Sequence, residues 1–505
     1  MEEKQQPIQN LIEIRKNKLA RLIEKNINPY PNKFSFNYTI EEVIDKFKDI
    51  TEGEVSKEEV VIKGRLILRR EMGKSVFCHI QEGTNKIQIY LKKDFIGEEN
   101  FKSFLDLIDI GDIIGVEGEV FKTKTGELTV NCKKYVLLSK SLRPLPEKWH
   151  GLKDVEIKYR QRYLDLITNP ESTKVFISRS KIINSIRETL NKKGFLEVET
   201  PIIQSLPGGA VAQPFKTFHN ALGEEFYLRI APELYLKMLL VGGLEKIYEL
   251  GKSFRNEGID RFHNPEFTMV EIYQAYANYN DMMKLTEEII LSCCTTLGIK
   301  EKINCKISED KSFDVEIKPE FDRFTMAELF DKYVKIDLSK FVNGEVEEGV
   351  YKKIGVDVFE QLPDGQTVRK TAKKLVDSVF EVCIQPHLIN PTFVIDYPRE
   401  LSPLAKYKDN NRDITERFEL YIATEEVANA YSELNDPIEQ YNRFMEQKTP
   451  EEKMALNMEF IQALEYGMPP AGGLGIGIDR LCMILTGSVS IRDVIFFPLL
   501  KSVKK

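Results

Sequence analysis

The stretch IYELGKSFRNEGIDRFHNPEFTMVEIYQAY, residues 247–276, reads as a strand, a loop and a second strand. In the second strand Thr268, Val270 and Ile272 alternate with Phe267, Met269, Glu271 and Tyr273, a period of two that sends them to opposite faces. Arg255 and Glu257 share a face of the first strand. Closing the hairpin gathers an arginine, two carboxylates, a phenyl ring and a phenol on one side of a sheet. Unpartnered charge is costly inside a fold. This face therefore holds either a structural ion-pair network or a ligand carrying both signs of charge.

Two further passages repeat the habit. In TERFELYIATEEVANAYSELNDP, residues 415–437, Asn429, Tyr431 and Glu433 alternate along one strand face. Glu419 and Glu426 are acids of the kind that hold Mg²⁺ beside phosphates, and a solvated hairpin accounts for them equally well. In PPAGGLGIGIDRLCMIL, residues 469–485, a glycine-rich strand runs into a helix carrying Arg480. The glycines alternate at Gly473, Gly475 and Gly477, unlike the dinucleotide pattern G-x-G-x-x-G. Alternation clears one strand face so that a flat ligand can lie close. Arg480 then stands where a guanidinium meets a phosphate or covers a ring.

The rest of the chain frames these passages. Its 505 residues exceed one ordinary core and imply at least two domains. Apolar residues at 42% and charged residues at 30% fit a globular protein. No apolar run is long enough for a membrane span, and the N-terminus lacks a signal-peptide core. The seven cysteines are odd in number, scattered and without a CxxC pair, so neither disulfides nor zinc is expected and a cytoplasmic location follows.

A net charge of −7 excludes a generic grip on polyanions, so any RNA must meet a local basic patch. One candidate is Ile8–Asn26, where Leu11, Ile14, Leu19, Leu22 and Ile23 recur at helical spacing among Arg15, Lys16, Lys18, Arg21 and Lys25. Packing on its own domain and contact with RNA both fit this pattern.

Between Val60 and Leu138 five strand candidates appear: Val60–Arg70, Ser75–Gln81, Lys86–Lys92, Asp112–Phe121 and Glu127–Leu138. A helical stretch, Phe95–Ile108, separates the third from the fourth, which is the order of an OB-fold barrel. Phe77, His79 and Gln81 share one strand face, and Gln88 and Tyr90 lie outward on the next strand. An aromatic among polar groups on an open sheet suits base stacking, and packing under a loop is the alternative for Phe77. Arg69, Arg70 and Lys74 are candidate phosphate contacts. The organisation expected is an N-terminal helical segment (1–57), the barrel (58–142), a proline-containing linker (143–151) and a large α+β domain (152–505). Residues 307–388 carry few recognisable motifs. Helices are expected at Ser178–Lys193 and Asp281–Leu297, the second capped by Asn280.

Taken together, the passages resemble the class II aminoacyl-tRNA synthetases. GFLEVETPII (194–203) looks like the first class motif, FRNE (254–257) with HNPEFT (263–268) like the second, and GLGIGIDR (473–480) like the third. The preceding OB-like barrel matches the subclass for lysine, aspartate and asparagine. GGAVAQPF (208–215), YLRIAPELYLK (227–237) and NAYSELNDP (429–437) are similar to the lysine enzymes in particular. The implied fold is a five-stranded OB-fold barrel followed by a catalytic domain built on an antiparallel sheet flanked by helices.

The resemblance also implies roles. Arg255 and Arg480 would be catalytic, Arg255 on the ATP α-phosphate and the lysine carboxylate and Arg480 on the γ-phosphate. Phe267 would stack on adenine, with Asn256, Glu257, His263, Asn264 and Gly477 completing the nucleotide site. Glu419 and Glu426 would hold Mg²⁺. Gly209 and Glu233 would take the lysine α-amino group with Glu271 nearby, and Tyr273 and Glu433 the ε-ammonium, with Asn429 close by. Arg70, Phe77, Gln88 and Glu127 would contact the anticodon of tRNA(Lys). A homodimer built on the first motif is implied as well.

One departure stands out, since the lysine enzymes usually carry arginine where this chain has Gln213. An aspartate or asparagine enzyme is disfavoured by Glu233, where those relatives usually have glutamine. An inactive RNA-binding copy is disfavoured because the arginines and metal acids are all present.

Overall fold

The computed structural model describes residues 2–146, 155–210, 212–306, 311–361, 365–446 and 458–502. Two compact units divide it, Met1–Lys174 and Val175–Lys505. The expected linker is described only as far as residue 146.

Alternating apolar residues build the first unit. Val60, Ile62, Val76, Cys78, Ile80, Ile89 and Leu91 are all fully buried, one face of three successive strands turned inward. The strands run Val55–Met72, Ser75–Glu82, Asn85–Lys92, Ile113–Lys122 and Leu128–Ser139, each within a few residues of its expected bounds. They close into a barrel in which the third strand pairs parallel with the fifth and the other pairs are antiparallel. Closure brings the fourth and fifth strands so near that a Cβ on Gly118 would lie 2.1 Å from the Asn131 carbonyl oxygen. The expected single helix over Phe95–Ile108 is two, Lys93–Ile96 and Glu98–Leu107, because Gly97 at φ 86° breaks it.

The N-terminal helix spans Glu2–Glu24, with a different buried face from the one expected. Leu11, Ile14 and Ile23 are exposed, whereas Ile12, Arg15 and Leu22 are buried. Arg15 donates to the carbonyls of Ser141, Arg143 and Ile110, and Lys18 pairs with Asp109 at 2.6 Å. These two basic residues serve the packing of their own unit.

In the second unit an eight-stranded sheet runs in the order Asp322–Thr325, Thr392–Ile395, Arg417–Ile422, Glu425–Ser432, Ala471–Gly477, Glu266–Ala275, Lys246–Phe254, Leu196–Glu197. Its interior is antiparallel, and the strand at each edge joins in parallel. The helices Pro170–Lys192, Tyr279–Thr296 and Ile478–Thr486 cover one face, where Ile186, Met282, Ile289 and Leu481 pack on Val270, Ile272, Leu420 and Ile476. The opposite face is left for chemistry. Asn278, not Asn280, caps Tyr279–Thr296: its side chain accepts from the N–H groups of Asn280 and Asp281. A cap needs extended backbone, which Asn278 has at φ −129°.

The sparsely marked region forms its own core, in which Phe330, Phe341, Tyr351, Val376 and Phe380 meet Tyr397 and Tyr421 of the sheet domain. Its end also grips a hairpin. Ala423 and Thr424 turn Arg417–Ile422 into Glu425–Ser432, and both have left-handed backbone, at φ 54° and 70°. For residues with a Cβ this costs on the order of 1–2 kcal/mol apiece. Three bonds hold the turn: Ala423 N–H to the Ile389 carbonyl at 2.8 Å, Thr424 N–H to Leu388 at 2.9 Å, and the Gln385 amide to the Thr424 carbonyl at 2.8 Å.

Candidate active site

The opposite sheet face, covered in part by the helix Glu233–Val241, bears a cavity of about 890 Å³. Strand alternation delivers Phe267, Met269, Glu271 and Tyr273 to it from one strand, Asn429 and Tyr431 from a second, and Gly473, Gly475 and Gly477 from a third. Arg255 and Glu257 line it too, from the loop beyond Phe254 and not from the strand as expected. Gly209, Glu233, His263, Asn264, Glu419, Glu426 and Arg480 complete the set of expected residues at its wall. Asn256 sits in the Arg255 loop, its N–H donating to the Gln213 carbonyl at 2.7 Å. Glu433 lies past the end of its strand, its Oε1 on the side to which a Cβ of Gly473 would point.

Around Phe267 two guanidinium groups, those of Arg255 and Arg480, line the cavity. The Arg255 guanidinium lies 5.1 Å from the centre of the Phe267 ring, and its buried Nε has no hydrogen-bond partner among the described residues. Burial pushes its pKa down against the pull of Glu257 and Glu426, the mark of a cation short of an anion. Arg480 donates to the Glu426 carbonyl at 2.9 Å and to His263 Nε2 at 3.1 Å. Since arginine can only donate, Nε2 accepts and His263 Nδ1–H donates to Asp260 at 2.7 Å. Asn264 keeps a buried carbonyl oxygen without a partner among the described residues.

The two acids expected to hold Mg²⁺ are differently placed. Glu419 accepts from Arg417, from Tyr397 at 2.9 Å and from Tyr421 at 2.7 Å. Glu426 is half-buried, and burial together with the neighbouring charge of Glu419 raises its pKa. Arg480 pairs with Glu426 at 3.3 Å and opposes that rise. Among the described residues no group of three or more His, Cys, Asp or Glu is arranged to hold a metal.

Around Gly209 and Tyr273 the lining charges are negative, from Glu233 and Glu271. Gly209, at φ 86°, brings its backbone so close that a Cβ would stand 3.2 Å from that of Glu233. Glu233 opens the helix Glu233–Val241, and its Oε1 accepts from Tyr431 and Lys237, each at 2.6 Å. Tyr273 donates to Glu271 at 3.1 Å, and burial with the charge of Glu233 pushes Glu271 up to about 8. Glu433 is 1% exposed. Lys237 forms an ion pair with it, 2.5 Å from Oε2, and neither oxygen accepts a well-aligned hydrogen bond among the described residues. A Cβ on Gly473 would sit 1.9 Å from that Oε1 and 2.7 Å from the Tyr273 ring.

Sequence reasoning missed Arg417, Tyr397, Tyr421 and Lys237. It also missed the wall that residues 326–385 supply through Lys373, Asp377 and Phe380. Lys237 had a local signal, standing four residues after Glu233 on a helix, and so did Arg417 and Tyr421, two residues either side of Glu419 on one strand.

On the barrel, Gln88 and His79 stand opposite each other in adjacent strands, as do Phe77 and Tyr90, whose ring centres are 4.6 Å apart. Glu127 links His79 Nε2 and the Gln88 amide, each at 2.7 Å, and Thr129 donates to Gln88 Oε1 at 2.9 Å. Arg70 pairs in register with Phe77. Arg69, a candidate for phosphate, instead donates to the Ile108 carbonyl at 2.8 Å.

Residues 60–138 match the OB-fold nucleic acid binding domain, and residues 154–501 match the family described as tRNA synthetases class II (D, K and N). The chain is 50% identical over 503 residues to the lysine–tRNA ligase of Pelotomaculum thermopropionicum, covering 99% of this chain and 96% of that one. It is 49% identical to that of Carboxydothermus hydrogenoformans (98% and 99% covered) and 52% identical to that of Aquifex aeolicus (92% and 76%). With the barrel, the sheet and the charged cavity all in place, the chain belongs to the class II tRNA synthetases (D, K and N), among the lysine–tRNA ligases.

Proposed function

We propose that the enzyme activates L-lysine with ATP and transfers it to tRNA(Lys). The lysine carboxylate attacks the α-phosphorus of ATP, and the bond to the β-phosphate oxygen breaks, giving lysyl-adenylate and pyrophosphate. The 3′-hydroxyl of the terminal tRNA adenosine then attacks the lysyl carbonyl, its proton leaves, and AMP departs. Arg255 holds the α-phosphate and the carboxylate together, and Arg480, oriented by His263 and Glu426, meets the γ-phosphate. Positioning and charge carry the first step, since adenylation needs no enzyme nucleophile. Glu419 and Glu426 would hold Mg²⁺, which when bound neutralises phosphate charge. Phe267 supports adenine stacking beneath Arg255.

The observation that carries the choice of lysine is the buried carboxylate of Glu433 with its unpaired Oε1 beside Gly473 and Tyr273. An ε-ammonium satisfies that oxygen, and an aspartate side chain would be repelled. The test is lysine-dependent ATP–pyrophosphate exchange beside aspartate, asparagine, arginine and ornithine, followed by charging of tRNA(Lys). Exchange with lysine alone is expected. Exchange with aspartate or asparagine would overturn the pocket reading, and no exchange at all would overturn the activity.

Phe77, Gln88, Glu127 and Arg70 are read as the anticodon contacts. The hydrogen-bonded Gln88 presents a fixed amide for a base edge, and Phe77 a ring for stacking. A homodimer is supported by exposed apolar residues around the first motif, among them Leu196, Ile202, Ile203, Phe218 and Leu222. A cytoplasmic location is supported by seven free thiols. Among the described residues no helix is long and apolar enough to cross a membrane.

A further inference from the structure

Lys237 is fully buried on a helix whose neighbouring core residues, Leu234, Leu236 and Leu240, are apolar. Its Nζ lies 2.6 Å from Glu233 Oε1 and 2.5 Å from Glu433 Oε2, with the rings of Tyr431 and Phe460 5.5 and 5.8 Å away. Stability alone does not account for this arrangement. Taking a lysine and two carboxylates out of water costs several kcal/mol per ion, and an apolar trio of the same volume generally packs as well or better. A buried network that survives such a cost serves a geometric purpose.

The contacts sort the oxygens of each carboxylate. Lys237 and Tyr431 occupy the inner oxygen of Glu233, and Lys237 occupies one oxygen of Glu433. What remains for a ligand is one oxygen on each, and for Glu433 that oxygen is Oε1, since Lys237 lies against Oε2. The charges agree. Once Glu271 and Glu433 are ionised, they and Glu233 set three carboxylates against one contacting ammonium, which leaves room for two more positive groups.

We propose that Lys237 is a positioning residue that sets chain-length specificity. Its ammonium pins the carboxylate for the α-amino group to the carboxylate for the ε-amino group, so the two free oxygens have one fixed separation. A diamino acid one methylene shorter leaves one of them unpaired, and a buried unpaired carboxylate oxygen is penalised more than a lost methylene contact. This rests on the reading of Glu233 and Glu433 as the two amine partners.

The test is ATP–pyrophosphate exchange by the full-length enzyme with lysine and with ornithine, for Lys237→Met and Lys237→Arg. In Lys237→Met the KM for lysine is expected to rise roughly 30- to 300-fold, as for one partner removed from a buried pair. kcat should stay within about threefold and the KM for ATP unchanged, the pattern of lost ground-state binding. The ratio of kcat/KM for lysine over ornithine should fall by about tenfold or more. The pH at which lysine KM reaches half its change should move upward, because Lys237 holds the Glu433 pKa down. Lys237→Arg keeps the cation at another reach, so it should alter the lysine-to-ornithine ratio without moving the pH profile. ATP binding reports whether either variant has folded, and if Lys237→Met has not, Lys237→Arg decides. An unaltered ratio in the folded variants would overturn the inference. A wild-type enzyme indifferent to lysine over ornithine, or a Glu433→Gln variant that behaves as wild type, would instead overturn the pocket reading beneath it.

Discussion

Tyr431 donates its phenolic hydrogen to Glu233 Oε1 at 2.6 Å, although 198 positions separate the two residues. One comes from near the end of the strand Glu425–Ser432 and the other from the first turn of a helix, so a tertiary contact fixes the carboxylate. Lys237 binds the same oxygen, so one side of Glu233 serves the fold while the residue also lines the cavity.

Replacing Glu433 should separate the two substrates. Glu433→Gln removes the charge that answers the ε-ammonium, a loss of about 3 kcal/mol for a buried pair, or ~100-fold in kcat/KM for lysine. ATP affinity should be unchanged, since Arg255, Phe267 and Arg480 are untouched. Exchange kinetics with lysine varied at saturating ATP, together with direct ATP titration, check both halves. Near-normal lysine kinetics would refute the assignment.

Lysine binding should release protons. In the free pocket burial pushes Glu271 up to about 8 and Glu433 likewise, so both retain protons near neutrality. Incoming ammonium groups favour the ionised forms and lower those values. Lysine affinity is therefore expected to rise from pH 6 to pH 8, with proton release visible by calorimetry in buffers of different ionisation enthalpy. The sign for folding follows. Both acids have folded values above the unfolded ~4.5, so the free enzyme loses stability as pH climbs through that window, and saturating lysine should restore it. Melting curves between pH 5 and pH 8 that do not respond to lysine would contradict this.

A methyl group at position 473 should act as a plug. In Gly473→Ala the new Cβ falls 1.9 Å from Glu433 Oε1 and 2.7 Å from the Tyr273 ring. Displacing a buried carboxylate and a ring costs about 1–3 kcal/mol, and lysine KM should rise by ~10-fold or more. Substrate-free melting is expected to drop by a few degrees while ATP binding persists. Unchanged lysine kinetics would count against the slot.

On the barrel, Phe77→Ala should weaken charging without touching activation. One stacked base is worth about 1–3 kcal/mol, so the KM for tRNA(Lys) should rise ~5- to 100-fold while ATP–pyrophosphate exchange stays at the wild-type rate. A parallel loss of exchange would point to misfolding, and no change in charging would remove Phe77 from the interface.

Legibility in the sequence followed locality. The period of two along Phe267–Tyr273 and the alternation of Gly473, Gly475 and Gly477 are written in adjacent residues, and both strands lie as expected. Where a distant partner decides, local pattern misleads. Leu11 and Ile14 look like the buried stripe of the first helix, yet Arg15 is buried instead, because three carbonyls from two separate loops receive its guanidinium. Asn280 looked like a helix cap, but the backbone had already turned helical by then and Asn278 does the capping. Arg417 and Tyr421 flank Glu419 at a spacing of two on its own strand, but Tyr397 reaches it from the loop after Thr392–Ile395, which no spacing announces.

The hairpin turn at Ala423 and Thr424 bears on how far the catalytic unit can be taken apart. The region from Met326 to Leu388 has its own core and invites treatment as a cassette that engineering removes or exchanges. Yet its last residues clasp a turn that two side-chain-bearing residues would not adopt unaided, and the next residues along are Glu425 and Glu426. Cutting the cassette out would open the clasp and let the hairpin relax at the point where the phosphate-side acids begin. A boundary drawn by core packing thus runs through the active site, and transplanting this region between relatives requires carrying the turn with it.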